Sequence, residues 1–302
     1  MNFNIIEMVM NMYPQFGPAG NPDAFYEAGN KASVQMPAWL SGMKLNAYEY
    51  QCSRGVNIKE ETARDIGLQA AKYGVKLSIH APYFISLGTE DETIIANTKK
   101  HFLKSLEVAR FMGADRIVFH MGGPGKQERN AVMQRVKHSF SCVLEEAEKR
   151  GLTGIYLCPE TMGKRNQLGS IAEVLDLCTM SEWVRPAVDF GHLHAVTGGQ
   201  YCTKQEMETV FDAVGEKLGA KAAKNLHIHF SRIEFTKGGE KRHWTFTDEF
   251  GPPHEPLVEL CAERGFTPRI ICESAGTQAI DAKTMQDLYF SMKQAHDASA
   301  TM

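Results

Sequence analysis

Short apolar runs rich in β-branched and aromatic residues alternate with longer amphipathic segments along nearly all of this 302-residue chain. The runs are LNAYEYQ (45–51), VKLSIH (75–80), RIVFH (116–120), GIYLCPE (154–160), RPAVDFG (185–191), NLHIHF (225–230) and PRIICES (268–274), and a weaker one precedes Gly17 in YPQFGPAGN. Between them, segments 91–112, 129–150, 203–219, 253–265 and 280–295 repeat apolar residues at helical spacing. The first carries Ile95, Phe102, Leu103, Leu106 and Phe111 on one side and lysines on the other. Gly74, Gly113, Gly151 and Gly265 fall just past such segments, where a left-handed cap is wanted. Near-continuously apolar strands alternating with helices imply a parallel sheet covered by helices. Eight such units close a barrel, and no G-x-G-x-x-G follows the first strand to favour an open, doubly wound sheet. The expected fold is α/β, a single (β/α)8 TIM barrel.

Composition narrows the class. Hydrophobic residues make up 43% and charged residues 23%, which excludes a disordered chain. The formal net charge of −3 gives no global basic field, although a local basic groove remains compatible with it. Seven cysteines, an odd number, show no C-x-x-C pair and no zinc-finger spacing. Several sit inside apolar runs, as reduced core residues of a cytoplasmic protein would. No stretch of 18 apolar residues offers a membrane span, and MNFNIIEMVMNMYPQ lacks the basic start and apolar centre of a signal peptide.

In a barrel of this kind the site lies at the C-terminal ends of the strands. Here strand three ends in His80, strand four in His120 and strand five in Glu160. Strand six ends in Asp189 with His192 three residues on, strand seven holds His227 and strand eight ends in Glu273. Six consecutive strands finish in a residue that can ligate a metal. Scattered core histidines and surface acids would not fall so regularly. Imidazoles with carboxylates and no thiolates suit Zn²⁺, Mn²⁺ or Fe²⁺. Six or more ligands exceed what one tetrahedral ion takes, so two or three ions sharing a carboxylate are expected. Closely spaced ions are how enzymes clamp a phosphoryl group and generate hydroxide at neutral pH. His229 shares the inward parity of His227 and stands as a further ligand or supporting group. His194 reads as a loop residue, and His101, His138 and His296 as solvated helix residues.

The motifs HAPYFISL (80–87), FHMGG (119–123), PETMGKRNQLG (159–169), DFGHLHAVTGG (189–199), HIHFSR (227–232), GGEKRH (238–243) and ICESAG (271–276) resemble the endonuclease IV family of AP endonucleases. The resemblance runs in family order from about Tyr13 to Met292. It implies one TIM-barrel domain over 13–302, with 1–12 as an N-terminal extension. It implies a Zn²⁺ cluster of two or three ions, with Mn²⁺ as an alternative. His80 and His120 would hold one ion, with Glu160 bridging to a second held by Asp189, His227 and Glu273. A third would sit on His192 and on an Asp-x-His pair. Lys241-Arg242-His243 stands where that pair is expected, so the aspartate is a lysine. Glu240 or a water then supplies the missing ligand, or the Lys241 ammonium replaces the ion's charge, or the third site is empty. Residues 1–11 have no counterpart, and His120-Met121-Gly122 replaces the family's H-P-G.

The function implied is a metal-dependent phosphodiesterase cutting damaged double-stranded DNA 5′ to abasic sites, as a monomer with no membrane partner. Glu160, Glu273 and Lys241 are its candidate catalytic groups, and Tyr83, Arg54, Ser231 and Arg232 its candidate DNA contacts, with Trp244 either stacking on a base or covering the site. Lys126, Lys164, Arg165, Lys237 and Arg242 would line the groove. The alternative is a sugar isomerase or epimerase on the same fold, which needs Glu160, Asp189, His227 and Glu273 but leaves His80 and His120 without work. Further alternatives are a metal-binding scaffold without turnover and an enzyme acting on another phosphate ester.

Overall fold

The computed structural model describes residues 13–300, with side chains through 295. The N-terminal extension expected over 1–12 lies outside the described residues. Ten strands occur among them: β1 (Gln15–Pro18), β2 (Ala47–Gln51), β3 (Lys76–His80), β4 (Arg116–Phe119), β5 (Tyr156–Pro159), β6 (Ala187–Asp189), β7 (His227–Phe230), β8 (Arg232–Thr236), β9 (Gly239–Trp244) and β10 (Arg269–Cys272). Eight are parallel, in two runs of hydrogen-bonded neighbours, β2-β3-β4-β5 and β1-β10-β7-β6.

Two seams join the runs. At one, Gly20 N donates to Glu49 O at 2.9 Å. At the other, Thr161 N donates to Ala187 O at 3.0 Å, and Glu160 bridges Ala187. The sheet therefore closes into the eight-stranded barrel. β8 and β9 are an added antiparallel hairpin, inserted after β7.

Helices surround the barrel: α1 (Asp23–Glu27), α2 (Met36–Gly42), α3 (Glu60–Tyr73), α4 (Glu92–Met112), α5 (Arg129–Lys149), α6 (Ile171–Cys178), α7 (Phe190–Thr197), α8 (Lys204–Leu218), α9 (Ala220–Lys224), α10 (Glu255–Arg264) and α11 (Gln278–Ala300). The glycines expected to cap them, Gly74, Gly113, Gly151 and Gly265, have φ of 69°, 70°, 64° and 64°. No described helix is long and apolar enough to cross a membrane.

One large apolar cluster fills the space between strands and helices. Inside the barrel the apolar groups are few and small: Ala19, Ala47 and Ile271 in one cluster, Val118, Cys158 and Ala187 in another. The remaining interior is polar. Glu49, Ser78, His227, His229 and Arg269 are all buried there. Arg269 closes the lower end, donating to Gln15 Oε1 at 2.8 Å, to Leu77 O at 3.1 Å and to both carboxylate oxygens of Asp115 at 2.6 and 3.0 Å. The buried Arg269 guanidinium thus meets acceptors from three residues, the condition for carrying charge in a core.

Close strand approach depends on Gly17. A Cβ there would lie 1.8 Å from Ala47 O. Gly17→Ala should therefore force β1 from β2 and destabilise the fold by about 1–3 kcal/mol, read as a lower urea midpoint. An unchanged midpoint would mean that the β1/β2 seam can move aside.

Candidate metal centre

Five of the barrel strands deliver their last or next residue into one mouth, Glu273 following β10. His80 ends β3, His120 and Glu160 follow β4 and β5, and Asp189 ends β6. Glu160 lies at the middle, almost wholly buried. Its Oε2 is 3.2 Å from His80 Nε2 and 2.8 Å from His120 Nε2. Its Oε1 is 3.1 Å from His229 Nδ1 and 3.4 Å from His192 Nδ1. Burial works against its charge, but the imidazoles of His229 and His120 hold the carboxyl well below the usual carboxylate range.

Three candidate ligand sets share this mouth, and a fourth group, Glu49, His227 and His229, lies one layer below it. His80, His120 and Glu160 form the first, Glu160, Asp189, His229 and Glu273 the second, and His192, Glu240 and His243 the third. Within each, the candidate ligand atoms lie within 4.8 Å of one another, against a spacing of about 3.3 Å around a tetrahedral zinc. The donors are nitrogen and oxygen, fitting Zn²⁺, Mn²⁺ or Fe²⁺.

One atom tests the fit. Asp189 is wholly buried, and its Oδ1 accepts from His192 N at 2.8 Å, capping α7. Its Oδ2 is buried and accepts no hydrogen bond, its nearest charged neighbour being His192 Nδ1 at 3.4 Å. Such an orphan is costly, and a cation beside it would remove the cost. The imidazoles are oriented for the same task. His80 Nδ1 donates to Ala81 O at 2.9 Å and His192 Nδ1 to Thr161 O at 2.9 Å, leaving each Nε2 for the mouth.

The structure places His229, not His227, in the second set. Both point inward, as parity requires, but they occupy different layers. In register, His229 is level with Asp189 and Ile271, and His227 with Ala187 and Arg269. His227 is one layer nearer the floor, where its Nε2 lies 3.0 Å from Glu49 Oε2. Burial lowers its imidazole to about 4.

Glu49 was not anticipated. Its Oε1 lies 3.0 Å from His229 Nε2, and its Oε2 accepts from Ser78 Oγ at 2.9 Å. Burial opposes its charge too, and His229 and His227 hold its carboxyl well below the usual range. Glu49 therefore aims His229 so that Nδ1 faces Glu160 and Glu273. The signal in the sequence was a lone carboxylate in the middle of LNAYEYQ.

Lys241 does not enter the mouth. Its ammonium pairs with Glu234 Oε1 at 2.6 Å and is 58% exposed. The reason is a bulge in the β8–β9 hairpin: Glu234 pairs with Arg242 and Phe235 with Glu240, leaving Lys241 as the extra residue. A bulge reverses the alternation beyond it, so Glu240 and His243, three apart, share the inner face. Glu240 Oε2 lies 3.5 Å from His192 Nε2, and its Oε1 3.6 Å from His243 Nε2. Of the expected alternatives for the third set, the carboxylate beside His192 and His243 is Glu240. Gly163 lets this hairpin dock, since a Cβ there would lie 2.8 Å from Glu240 Cβ and 2.9 Å from His192 Cδ2.

The remaining candidates divide. Tyr83 is 55% exposed and stacks on His120 with ring centroids 5.2 Å apart, beside exposed Phe84. Arg54 is exposed in the next loop, where Ser53 O accepts from Tyr83 N at 3.4 Å. Ser231 is wholly buried and bonded to His243 Nδ1 at 2.8 Å, so it orients that ring. Arg232 donates to Asp248 O. Trp244 stacks on Phe250 and carries the Arg242 guanidinium 4.4 Å above its ring. His194, expected in a loop, is buried on α7 against Gln200 O at 2.7 Å. His138 is exposed and His101 half-buried, both on helices, while the side chain of His296 lies outside the described residues.

A model of the xylose isomerase-like TIM barrel family matches residues 38–293. The chain belongs to that family. It is 30% identical over 261 residues to an uncharacterized protein of Methanocaldococcus jannaschii, covering 86% of this chain and 91% of that one. A probable endonuclease 4 of Halalkalibacterium halodurans is 23% identical over 188 residues, 58% of this chain and 60% of its own. Among solved structures, endonuclease IV from Thermus thermophilus superposes with a TM-score of 0.66 at 18% identity, covering 93% of this chain and all of that one. A D-tagatose 3-epimerase-like protein does so at 0.69 and 16%, covering 93% and 99%. At such identities the superpositions establish the barrel alone.

Two predictions follow from the ligand geometry. Glu49→Gln should weaken metal binding about 10–100-fold by freeing His229, measured by competition with a chromophoric chelator, while Lys241→Ala leaves metal content unchanged. Burial disfavours charge on His80 and His243, yet Glu160 and Glu240 push them up to about 9 in the metal-free chain. Both are then protonated at pH 7 and must lose the proton to ligate. Loading should release protons and tighten as pH rises from 7 towards 9, seen by calorimetry in buffers of different protonation enthalpy. Binding without proton release would refute this ligand assignment.

Proposed function

We propose that this chain is a metal-dependent phosphodiesterase that cuts damaged duplex DNA 5′ to abasic sites. The observation that carries the reading is the presence of three ligand sets at one mouth, the first two sharing Glu160. A proton-transfer enzyme with one ion would need only Glu160, Asp189, His229 and Glu273. It would leave His80, His120, His192, Glu240 and His243 without a role. Two or three divalent ions held by these residues would supply a clamp on phosphoryl oxygens and hydroxide at neutral pH.

The chain's own groups fit a nucleic-acid substrate. Glu160 presents both carboxylate oxygens to the ligand sets, and Glu49 and Ser231 hold His229 and His243 in orientation. Tyr83 and Phe84 expose aromatic surface beside the mouth, where a nucleotide can stack. Exposed Arg54, Lys126, Lys164, Arg165, Lys237, Lys241 and Arg242 lie on the loops and hairpin of the same end, where they can contact phosphates despite the net charge of −3. Turning a nucleotide out of the duplex costs least where its base is missing, which would give selectivity for abasic sites. Support from relatives is the partial similarity to the probable endonuclease 4.

Epimerisation of a small sugar is the second reading, favoured by the completeness of the Glu160, Asp189, His229 and Glu273 set as a one-ion site. A duplex oligonucleotide with one abasic analogue separates the two. With Zn²⁺ or Mn²⁺ supplied, the protein should cut 5′ to the lesion. Glu160→Gln should abolish cutting, and Tyr83→Ala should lower kcat/KM roughly tenfold with metal content kept. Folded, metal-loaded protein that leaves the duplex intact but epimerises a ketose would establish the second reading instead.

A further inference from the structure

The opposite end of the barrel holds a cavity of about 320 Å³ away from the metal mouth. Its lining comes from strand beginnings and the segments before them: Arg116 opens β4, Tyr156 opens β5, Arg185 precedes β6 and His227 opens β7, while Lys221 looks in from α9. The charges do not balance. Asp115 is the carboxylate of the lining, and both its oxygens are engaged by Arg269. Arg116 reaches Asp115 Oδ2 only at 3.9 Å, and its Nη1 is 3.5 Å from His227 Nδ1. Its side chain is 15% exposed. Burial and the neighbouring Arg269 hold its guanidinium below its ordinary value, as expected for a buried cation short of a counter-ion. Arg185 lies over the Tyr156 ring at 5.5 Å, and neither it nor Lys221 has a carboxylate partner among the described residues.

We propose that this cavity binds a phosphoryl dianion, free or carried by a small organic molecule. Two planar guanidiniums and an ammonium around one space suit tetrahedral oxyanions, which arginine binds through paired N–H groups. The lining also includes the apolar side chains Pro186, Leu218 and Leu226 and the Tyr156 ring. These leave room for an organic body, and the volume lies at the small end of ligand pockets. The site is independent of the nuclease reading, because it faces away from the metal mouth. It is joined to that mouth from within: His227 Nε2 meets Glu49 Oε2 at 3.0 Å, and Glu49 Oε1 meets His229 Nε2 at 3.0 Å.

Calorimetric titration of the metal-loaded full-length protein with inorganic phosphate and with adenosine 5′-monophosphate tests the proposal. A repeat on chelator-stripped protein removes binding at the metal mouth. A single saturable site that survives stripping is expected, weakened at least tenfold in the Arg185→Glu/Lys221→Glu variant. Both residues are at the surface of the cavity and outside the metal centre, so the thermal melt and metal content of the variant should match the parent. Equal affinity for the two probes identifies free phosphate as the occupant, and tenfold tighter nucleotide identifies a phosphomonoester. Binding that disappears on stripping, or that the double variant leaves unchanged, overturns the proposal.

Discussion

A carboxylate buried among four imidazoles organises the upper half of this barrel. Glu160 lies within 3.4 Å of His80, His120, His192 and His229, which arrive from four elements far apart in sequence. A buried ionised carboxylate is tolerable only with compensation of this kind. The same group belongs to two of the three ligand sets and faces His192 of the third. Hence strand ends, the α7 start at Asp189 and the β8–β9 hairpin all have to converge on one point. Asp189 Oδ2, at the same point, accepts no hydrogen bond from the described residues.

Polar matter continues down the barrel axis. Below Glu160 comes His229, and below it Glu49, Ser78 and His227, level in register with Arg116 and Arg269, the latter bonded to Asp115 and Gln15. Barrels of this kind commonly fill the interior with branched apolar side chains. Here much of the interior is instead polar, with Glu49, Ser78, His227 and Arg269 in mutual or neighbouring hydrogen bonds. Such a column would hold the candidate ligand imidazoles in fixed orientations, while stability comes from the apolar shell between strands and helices.

Much of this was legible beforehand, for local reasons. Strand ends at His80, Glu160 and Asp189 follow from apolar runs that stop at a polar residue, and the glycine caps from the left-handed conformation they adopt. What was not legible depended on pairing between strands. His227 and His229 have the same parity, so no periodicity separates them. Their layers are decided by pairing with Asp189 and Ala187 on β6. The hairpin was invisible because GGEKRH is too polar to read as strand, and its bulge overrides the spacing that nominated Lys241.

The sequence by itself determined a closed α/β barrel, the mouth at which its ligands gather and their nitrogen and oxygen chemistry, because alternation and helix periodicity are properties of neighbouring residues. Only the tertiary structure decided which candidate ligand belongs to which set. Strand register chose His229 over His227, a bulge chose Glu240 over Lys241, and barrel closure brought Glu49 beneath His229 from a distant part of the chain. Register and closure are set by the whole sheet at once, so no local stretch of sequence carries them.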